Sequence, residues 1–152
     1  MTPFLDILYQ LSHETGLQLY PDNHHACKLV VGEHITVQLE MDISQEHLLL
    51  GSVIYEIPLG AFRENVLKHA LVANSGDYPL YGYLCYIQKL NALALYDALS
   101  LKNLTGISLS NHIILFAQKA ELWREALSSN RPGPNTLKPQ GGKPPPFLGI
   151  KL

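Results

Sequence analysis

The sequence predicts an α+β protein with an antiparallel sheet, in the order helix, three strands, helix, two strands, helix. Two observations carry this prediction. Three consecutive apolar segments, 26–31, 34–41 and 47–57, are joined by links of hairpin length, as strands that pair antiparallel are. Other segments repeat their apolar residues at helical spacing. Consecutive short strands of this kind favour α+β architecture over a doubly wound parallel sheet.

The first helix is predicted to begin at Thr2, a residue type that caps helices, with Pro3 at its first position. Asp6 in the first turn suits the positive end of the helix dipole, and Gly16 ends the helix. Its apolar residues share one stripe: Phe4, Leu5, Leu8 and Leu11.

The segment 34–41 gives the clearest strand pattern, because apolar and polar residues alternate strictly. One face is therefore predicted to be buried and the other to face water. The segment 47–57 is apolar on both faces, so it needs cover on both sides, from protein or from a ligand. The segments 80–88 and 92–98 are predicted to be two further strands, although 92–99 also has helical propensity.

The segment 61–74 follows Pro58 and Gly60 and is predicted to be a helix that ends at 74–76, where Asn and Gly tolerate a left-handed backbone. Its apolar residues spread beyond one stripe. We interpret it as a helix that packs on its own sheet and on a second subunit; the alternative is an ordinary core helix.

The last helix is predicted over about 108–127, where apolar residues recur at intervals of three and four, with Ser108 or Ser110 as its cap. Beyond it, six prolines and four glycines interrupt a polar, basic stretch. We therefore divide the chain into a folded domain, 1–128, and a Pro/Gly-rich tail, 129–152, which is expected to be disordered.

Composition limits the classes of function. The chain is 47% hydrophobic and 16% charged, as expected of a globular protein, and contains no stretch long enough to cross a membrane. The N-terminus lacks a secretory signal, so Cys27 and Cys85 are predicted to be buried thiols. Residues 1–128 hold seven Lys and Arg against thirteen acids, a formal charge of −6, which argues against nucleic-acid binding.

No motif predicts a catalytic, metal or cofactor site. His24 and His25 are adjacent in a loop, without ligands at zinc spacing, and are expected to be surface residues. The sequence lacks the Gly-x-Ser-x-Gly pattern of serine hydrolases. The stretch 141–143, Gly-Gly-Lys, follows no strand and opens no helix, so it is not a phosphate loop.

The remaining signal is apolar surface. More apolar surface is present than one small core is expected to bury, in the two-faced segment 47–57, the wide helix 61–74 and a run of tyrosines. The alternative is that all of these residues belong to the core. Tyrosine is favoured at protein interfaces. The tyrosines are Tyr78, Tyr81, Tyr83 and Tyr86.

This pattern resembles the class I type III secretion chaperones, the Tir-chaperone or CesT-like family, over about residues 3–128. The telling stretches are 59–74, a proline-led helix ending in Leu-Val-Ala-Asn, and 82–86, Gly-Tyr-Leu-Cys-Tyr. A strand at 93–96 and the last helix with Phe116, Ala120 and Trp123 complete the likeness. The proline-rich tail departs from it, because such chaperones often end soon after the last helix.

The resemblance implies a cytoplasmic bacterial homodimer that holds a secreted effector in extended form before export, without catalysis or cofactors. The resemblance is also compatible with contacts to components of the secretion apparatus, and it implies a role in virulence. The implied dimer contacts are Val66, Leu67, Ala70, Leu71, Leu84 and Tyr86. The implied effector contacts are Leu8, Leu11, Leu29, Val31, Val37 and Leu39.

Two other functions remain open on the residues alone: an adaptor or scaffold of another secretion or signalling system, and a small enzyme whose site has no motif. The tail carries its own alternatives. The stretch 143–150 pairs three consecutive prolines with Phe147, Leu148 and Ile150, and could dock into a groove of its own domain. Otherwise the tail serves only solubility.

Overall fold

A computed structural model describes residues 2–76, 80–135 and 150–151, the last two by their backbone. Within these residues the helices are α1 (Pro3–Thr15), α2 (Ala61–Asn74) and α3 (Gly106–Ser128). The strands are β1 (Ala26–Val31), β2 (Ile35–Met41), β3 (His47–Glu56), β4 (Tyr83–Ile87), β5 (Ala92–Ser100) and β6 (Ile150–Lys151). A short 3-10 helix, Gln88–Leu90, links β4 to β5.

The strands form one antiparallel sheet in the order β4-β5-β3-β2-β1-β6. The predicted α+β class and the predicted order of elements are confirmed. The additional strand β6 lies in the stretch that the sequence assigned to the tail, and it pairs with the outer side of β1. The segment from residue 92 is a strand, because its residues pair with β3 and β4 on both sides, which overrides their helical propensity.

The core lies between the helices and one face of the sheet. α1 and α3 pack closely, since the backbone of Gly106 approaches that of Gln10 so nearly that a Cβ at position 106 would lie 2.6 Å from the Gln10 carbonyl oxygen. The Gly106 N–H also donates to Gln10 Oε1 at 3.1 Å. The largest fully buried side chains include Phe116, Leu8, Leu11, Leu29, Leu39, Leu50 and Leu93.

The capping residues agree with the sequence at α1 and differ at α3, whereas α2 begins and ends at the predicted residues but with a different backbone conformation at its end. Thr2 caps α1 by accepting from the Leu5 N–H, and Gly16 ends it in the left-handed conformation. α3 is capped by Thr105 instead of Ser108 or Ser110, because Thr105 Oγ1 and Ser108 Oγ each accept from the other residue's N–H. The end of α2 is not left-handed: Ser75 has φ −82°.

Some strands begin or end at residues other than the predicted ones, because of their local backbone conformation. β4 begins at Tyr83, later than predicted, because Tyr81 and Gly82 have positive φ and cannot continue a strand. The register of β3 against β5 shifts between Val53 and Tyr55, although buried and exposed residues still alternate there. One face of β3 is buried in this chain, whereas Val53 remains 52% exposed on the other.

Candidate protein-binding surfaces

The β4 edge of the sheet is blocked by one side chain from α2. Asn74 Nδ2 donates to the Leu84 carbonyl oxygen at 2.7 Å, and the Leu84 N–H donates to Asn74 Oδ1 at 2.9 Å. This amide therefore makes both hydrogen bonds that a neighbouring antiparallel strand would make at Leu84. Because edge strands are templates for further strands, α2 protects this edge against strand addition.

The outer edge of β1 is paired only in part. β6 pairs there only with Val30 and Val31, and the Ala26 carbonyl oxygen accepts from the Asp22 N–H at 2.7 Å. In the part of the chain that the structure describes, no strand pairs with residues 27–29 on this side. Residues 27–29 of β1 are therefore without a strand partner on this side among the described residues, whereas the β4 edge is occupied at Leu84 by Asn74.

The side chains implied as effector contacts lie beneath this edge, in the core. Each is at most 1% exposed: Leu8, Leu11, Leu29, Val31, Val37 and Leu39. A side chain with so little accessible surface cannot touch another protein in this conformation, because the core would have to open first. Their role as effector contacts stays a prediction; in this structure they support the β1 edge from the inside.

The outward side of α2 carries exposed apolar residues. Leu71 is 69% exposed and Val72 is 73% exposed, although the helix already buries Val66 and Ala70 against its own chain. We call Leu71 and Val72, which are adjacent and exposed near the end of the helix, the α2 apolar surface. Exposed apolar residues that lie side by side are a candidate protein contact.

The six residues implied as dimer contacts differ in how far they are exposed to solvent. Val66, Ala70 and Leu84 are buried in the single chain, so they can only support an interface from below. Leu67 and Tyr86 are half-buried, and Leu71 is exposed. Of this set, Leu71 offers most surface to a partner, and the assignment of the set as dimer contacts stays a prediction.

An arginine at the start of α2 fixes the helix to the sheet. The Arg63 guanidinium donates to the Ile57 carbonyl oxygen at 2.6 and 3.1 Å. Its central carbon lies 5.4 Å from the centre of the Tyr86 ring, which is within the range of a cation–π contact. Together with Asn74 at the other end, Arg63 holds α2 beside β4 and leaves the α2 apolar surface outward.

The face of the sheet that points away from the core is partly apolar. Tyr83 and Tyr96 are opposite each other on β4 and β5, and are 52% and 44% exposed. Cys85 follows on the same face of β4 and is exposed, which corrects its prediction as a buried thiol; Cys27 is buried as predicted. The correction follows from strand parity, since β4 buries Leu84 and points Cys85 away from it. Tyr78 lies outside the described residues.

A lysine on α3 holds the turn before β4. Lys119 Nζ donates to the Leu80 carbonyl oxygen at 3.0 Å and to the Gly82 carbonyl oxygen at 2.6 Å. Burial lowers the pKa of Lys119, and the nearby Asp97 carboxyl acts in the opposite direction. The sequence gives no signal for this contact, because Lys119 is nearly forty residues from the carbonyl groups that it binds.

The described residues offer no evident metal centre. Among residues 2–76, 80–135 and 150–151, no three His, Cys, Asp or Glu side chains come together in a way that could hold a metal ion. His24 and His25 lie exposed in the turn before β1. No helix in the described ranges combines the length and the apolar character needed to cross a membrane.

Solved structures share this fold. A chain in the structure of the HopA1–SchA chaperone–effector complex is 23% identical, with a TM-score of 0.63, and the match covers 82% of this chain and 96% of that one. A chain of the ExsC–ExsE complex is 21% identical, with a TM-score of 0.70 and coverage of 84% and 96%.

A third match is a chain of the heterodimeric ExoU–SpcU complex from the type III secretion system of Pseudomonas aeruginosa. It is 18% identical, with a TM-score of 0.60, and the match covers 82% of this chain and 97% of that one. At these identities the likeness concerns the fold. No curated protein matches the sequence significantly.

The family model described as "Tir chaperone protein (CesT) family" matches residues 6–124, from α1 almost to the end of α3. The match spans the three helices and the five consecutive strands whose edges are described above. This protein therefore belongs to the Tir chaperone (CesT) family.

Proposed function

We propose that this protein is a type III secretion chaperone, which binds the extended N-terminal segment of a secreted effector in the bacterial cytoplasm and keeps it competent for export. The family match over residues 6–124 carries this proposal. The protein acts by binding alone, without catalysis or a cofactor, and the family together with the chaperone–effector complexes that share its fold supports a non-catalytic role.

The β1 edge is the place where the effector segment adds a strand. Strand addition supplies main-chain hydrogen bonds that do not depend on sequence, while pockets for alternate side chains supply specificity. The effector gives up conformational entropy on binding, so a modest net affinity results from a large contact. Such a complex can be separated by an export machine without breaking a covalent bond.

The α2 apolar surface is the contact between two copies of the chain. A two-fold interface places the same surface of each subunit against its copy, which suits one helix with exposed Leu71 and Val72. A homodimer presents two β1 edges, so one effector segment can follow the surface of both subunits.

Co-expression with candidate type III effectors tests the proposal. We expect an N-terminal fragment of an effector to remain bound to the chain through affinity purification and gel filtration. Hydrogen exchange on the complex should slow at amides of β1, and β4 serves as the internal control because Asn74 already occupies its edge.

Two outcomes would contradict the proposal. Recovery of only proteins that are not exported would favour an adaptor of another system. Slower exchange at β4 with none at β1 would show that the effector segment does not add to the sheet where the proposal puts it.

A further inference from the structure

The described end of the chain lies on the same edge that an effector strand would join. β6 runs antiparallel to β1, with Lys151 opposite Val30 and Ile150 opposite Val31. The opposite edge of the sheet is blocked at Leu84 by the side chain of Asn74. A later segment of the same chain therefore pairs with part of the edge that is not blocked by Asn74.

The pairing is short and tethered. β6 pairs with two of the six residues of β1, whereas strands in globular proteins usually contain about 3 to 10 residues. Fourteen residues separate Asn135 from Ile150, and a segment of that length can span up to roughly 50 Å. Because β6 and β1 belong to one chain, their pairing is intramolecular, which favours even a short contact.

Charge adds to this attraction. Residues 129–152 contain four Lys and Arg and no acid, whereas residues 1–128 carry a formal charge of −6. Opposite charges on tail and domain favour the docked arrangement, and salt weakens this contribution because exposed charges are screened.

We propose that β6 is a built-in occupant of the β1 edge and that an extended effector segment binds by displacing it. The proposal rests on the proposed function, since it takes the effector segment to be a strand added at β1. A segment that pairs with residues 27–31 of β1 makes five residue pairs against the two that β6 makes, so exchange favours the effector. Without an effector, β6 shields part of an edge that would otherwise pair with other chains.

The first experiment tests the pairing itself. The double variant Val30→Cys/Lys151→Cys places thiols on opposed residues, and Cα atoms about 4.5–5.5 Å apart are within the range that a disulfide bridges. The matched control, Lys28→Cys/Lys151→Cys, is displaced by two residues along β1. Both are made with Cys85→Ala, since Cys85 is exposed and Cys27 is buried.

We expect the Val30/Lys151 pair to form its intramolecular disulfide at least about tenfold faster than the displaced pair, as followed by mass spectrometry under mild oxidation. Equal rates for the two pairs would overturn the proposal, because they would show that β6 holds no fixed register on β1.

The second experiment measures affinity for the effector fragment that co-purifies with the natural full-length chain. The variant Ile150→Pro/Lys151→Pro lacks both amide hydrogens of β6 and should bind about tenfold more tightly, which corresponds to β6 occupying the edge in about nine of ten molecules. The oxidised Val30/Lys151 disulfide form should bind at least about tenfold more weakly and recover on reduction. Lys151→Gln removes a charge but keeps the amide, so its affinity should remain close to that of the natural chain.

The outcomes separate the two proposals. If the oxidised and reduced forms bind the fragment equally, displacement is wrong while the proposed chaperone function stands. If no form of the chain retains an effector, the proposed function fails and displacement fails with it, whatever the cross-linking rates show.

Discussion

At the scale of single residues, the Asn74 side chain makes two hydrogen bonds to the Leu84 backbone that a neighbouring strand would otherwise make. Replacement by Ala removes both hydrogen bonds to Leu84 and leaves its N–H and carbonyl group without these partners. Because unpaired polar groups near the core cost about 1–3 kcal/mol, we expect Asn74→Ala to lower the free energy of unfolding by about that amount. Urea denaturation followed by circular dichroism measures the change.

The matched control is Asn65→Ala, an exposed asparagine on the same helix, which should change stability by less than about 0.5 kcal/mol. Asn74→Asp gives an intermediate test, since a carboxylate still accepts from the Leu84 N–H but cannot donate to its carbonyl group. Equal urea midpoints for Asn74→Ala and Asn65→Ala would show that the hydrogen bonds between Asn74 and Leu84 do not stabilise the fold.

Asp42 makes the stability of the β2–β3 turn depend on pH. A hydrogen bond from Ser44 Oγ, with further ones from the His47 N–H, the His47 ring and the Glu46 N–H, lowers the pKa of Asp42 from 3.8 to about 2. Since the folded pKa lies below the unfolded one, the stabilisation is complete above pH 3.8 and is lost as the pH falls towards 2.

Asp42→Asn should therefore unfold at a lower urea concentration than the natural chain near pH 6, and the two midpoints should converge as the pH approaches 2. Urea denaturation at several pH values checks this, with Glu33→Gln, an exposed acid in another turn, as the control. A gap between natural chain and Asp42→Asn that is as wide at pH 2 as at pH 6 would contradict the assignment.

At the scale of elements, the contact between α1 and α3 depends on a missing side chain. A Cβ at Gly106 would lie 2.6 Å from the Gln10 carbonyl oxygen and 2.7 Å from its carbon, and both are backbone atoms that cannot rotate away. We expect Gly106→Ala to push the helices apart and to cost about 1–3 kcal/mol of stability, as overpacking does. Thermal unfolding measures this loss.

Gly51→Ala is the control for that experiment, because nothing lies within 4 Å of a Cβ at this position. It should leave the melting temperature unchanged or raise it slightly, since alanine restricts the unfolded chain more than glycine does. Equal melting temperatures for Gly106→Ala and the natural chain would show that α1 and α3 can separate without cost.

At the scale of the whole molecule, the proposed dimer depends on side chains that the single chain does not need. Leu71→Asp places a charge on the α2 apolar surface, and two-fold symmetry introduces it twice per interface. We expect the dimer to dissociate at concentrations at least about tenfold higher than for the natural chain, as light scattering coupled to gel filtration will show. The monomer should remain folded, because Leu71 is 69% exposed.

Ile43→Asp is the matched control, since Ile43 is fully exposed in the β2–β3 turn, away from α2. It should dimerise like the natural chain. A natural chain that is monomeric at all concentrations, or equal dissociation of the Leu71→Asp and Ile43→Asp variants, would remove the α2 apolar surface from the proposal.

The parts of the fold that could be predicted are those with local signals. The limits of α1 follow from Thr2, Pro3 and Gly16, and the alternation from Ile35 to Met41 identifies β2, because each signal needs only neighbouring residues. The contact between Asn74 and Leu84 could not be predicted, since an asparagine near a helix end usually signals a turn and its actual partner is on another element.

The candidate site was harder to predict than the fold. Period-two alternation shows that Val37 and Leu39 share a face, but it does not say that the helices cover this face completely. For the same reason Cys85 and Leu84 could not be assigned to the outer and inner face in advance. A two-residue strand such as β6 leaves almost no pattern in a stretch rich in proline and glycine.

The position of β6 has a practical consequence for anyone who handles this protein. An affinity tag or fluorescent fusion attached directly after Leu152 would begin one residue beyond the sheet. Such an addition would disturb the pairing of β6 with β1, and the binding experiments measure the effect of that pairing. Purification handles and labels are better attached ahead of Thr2 and cut away before any binding curve is recorded.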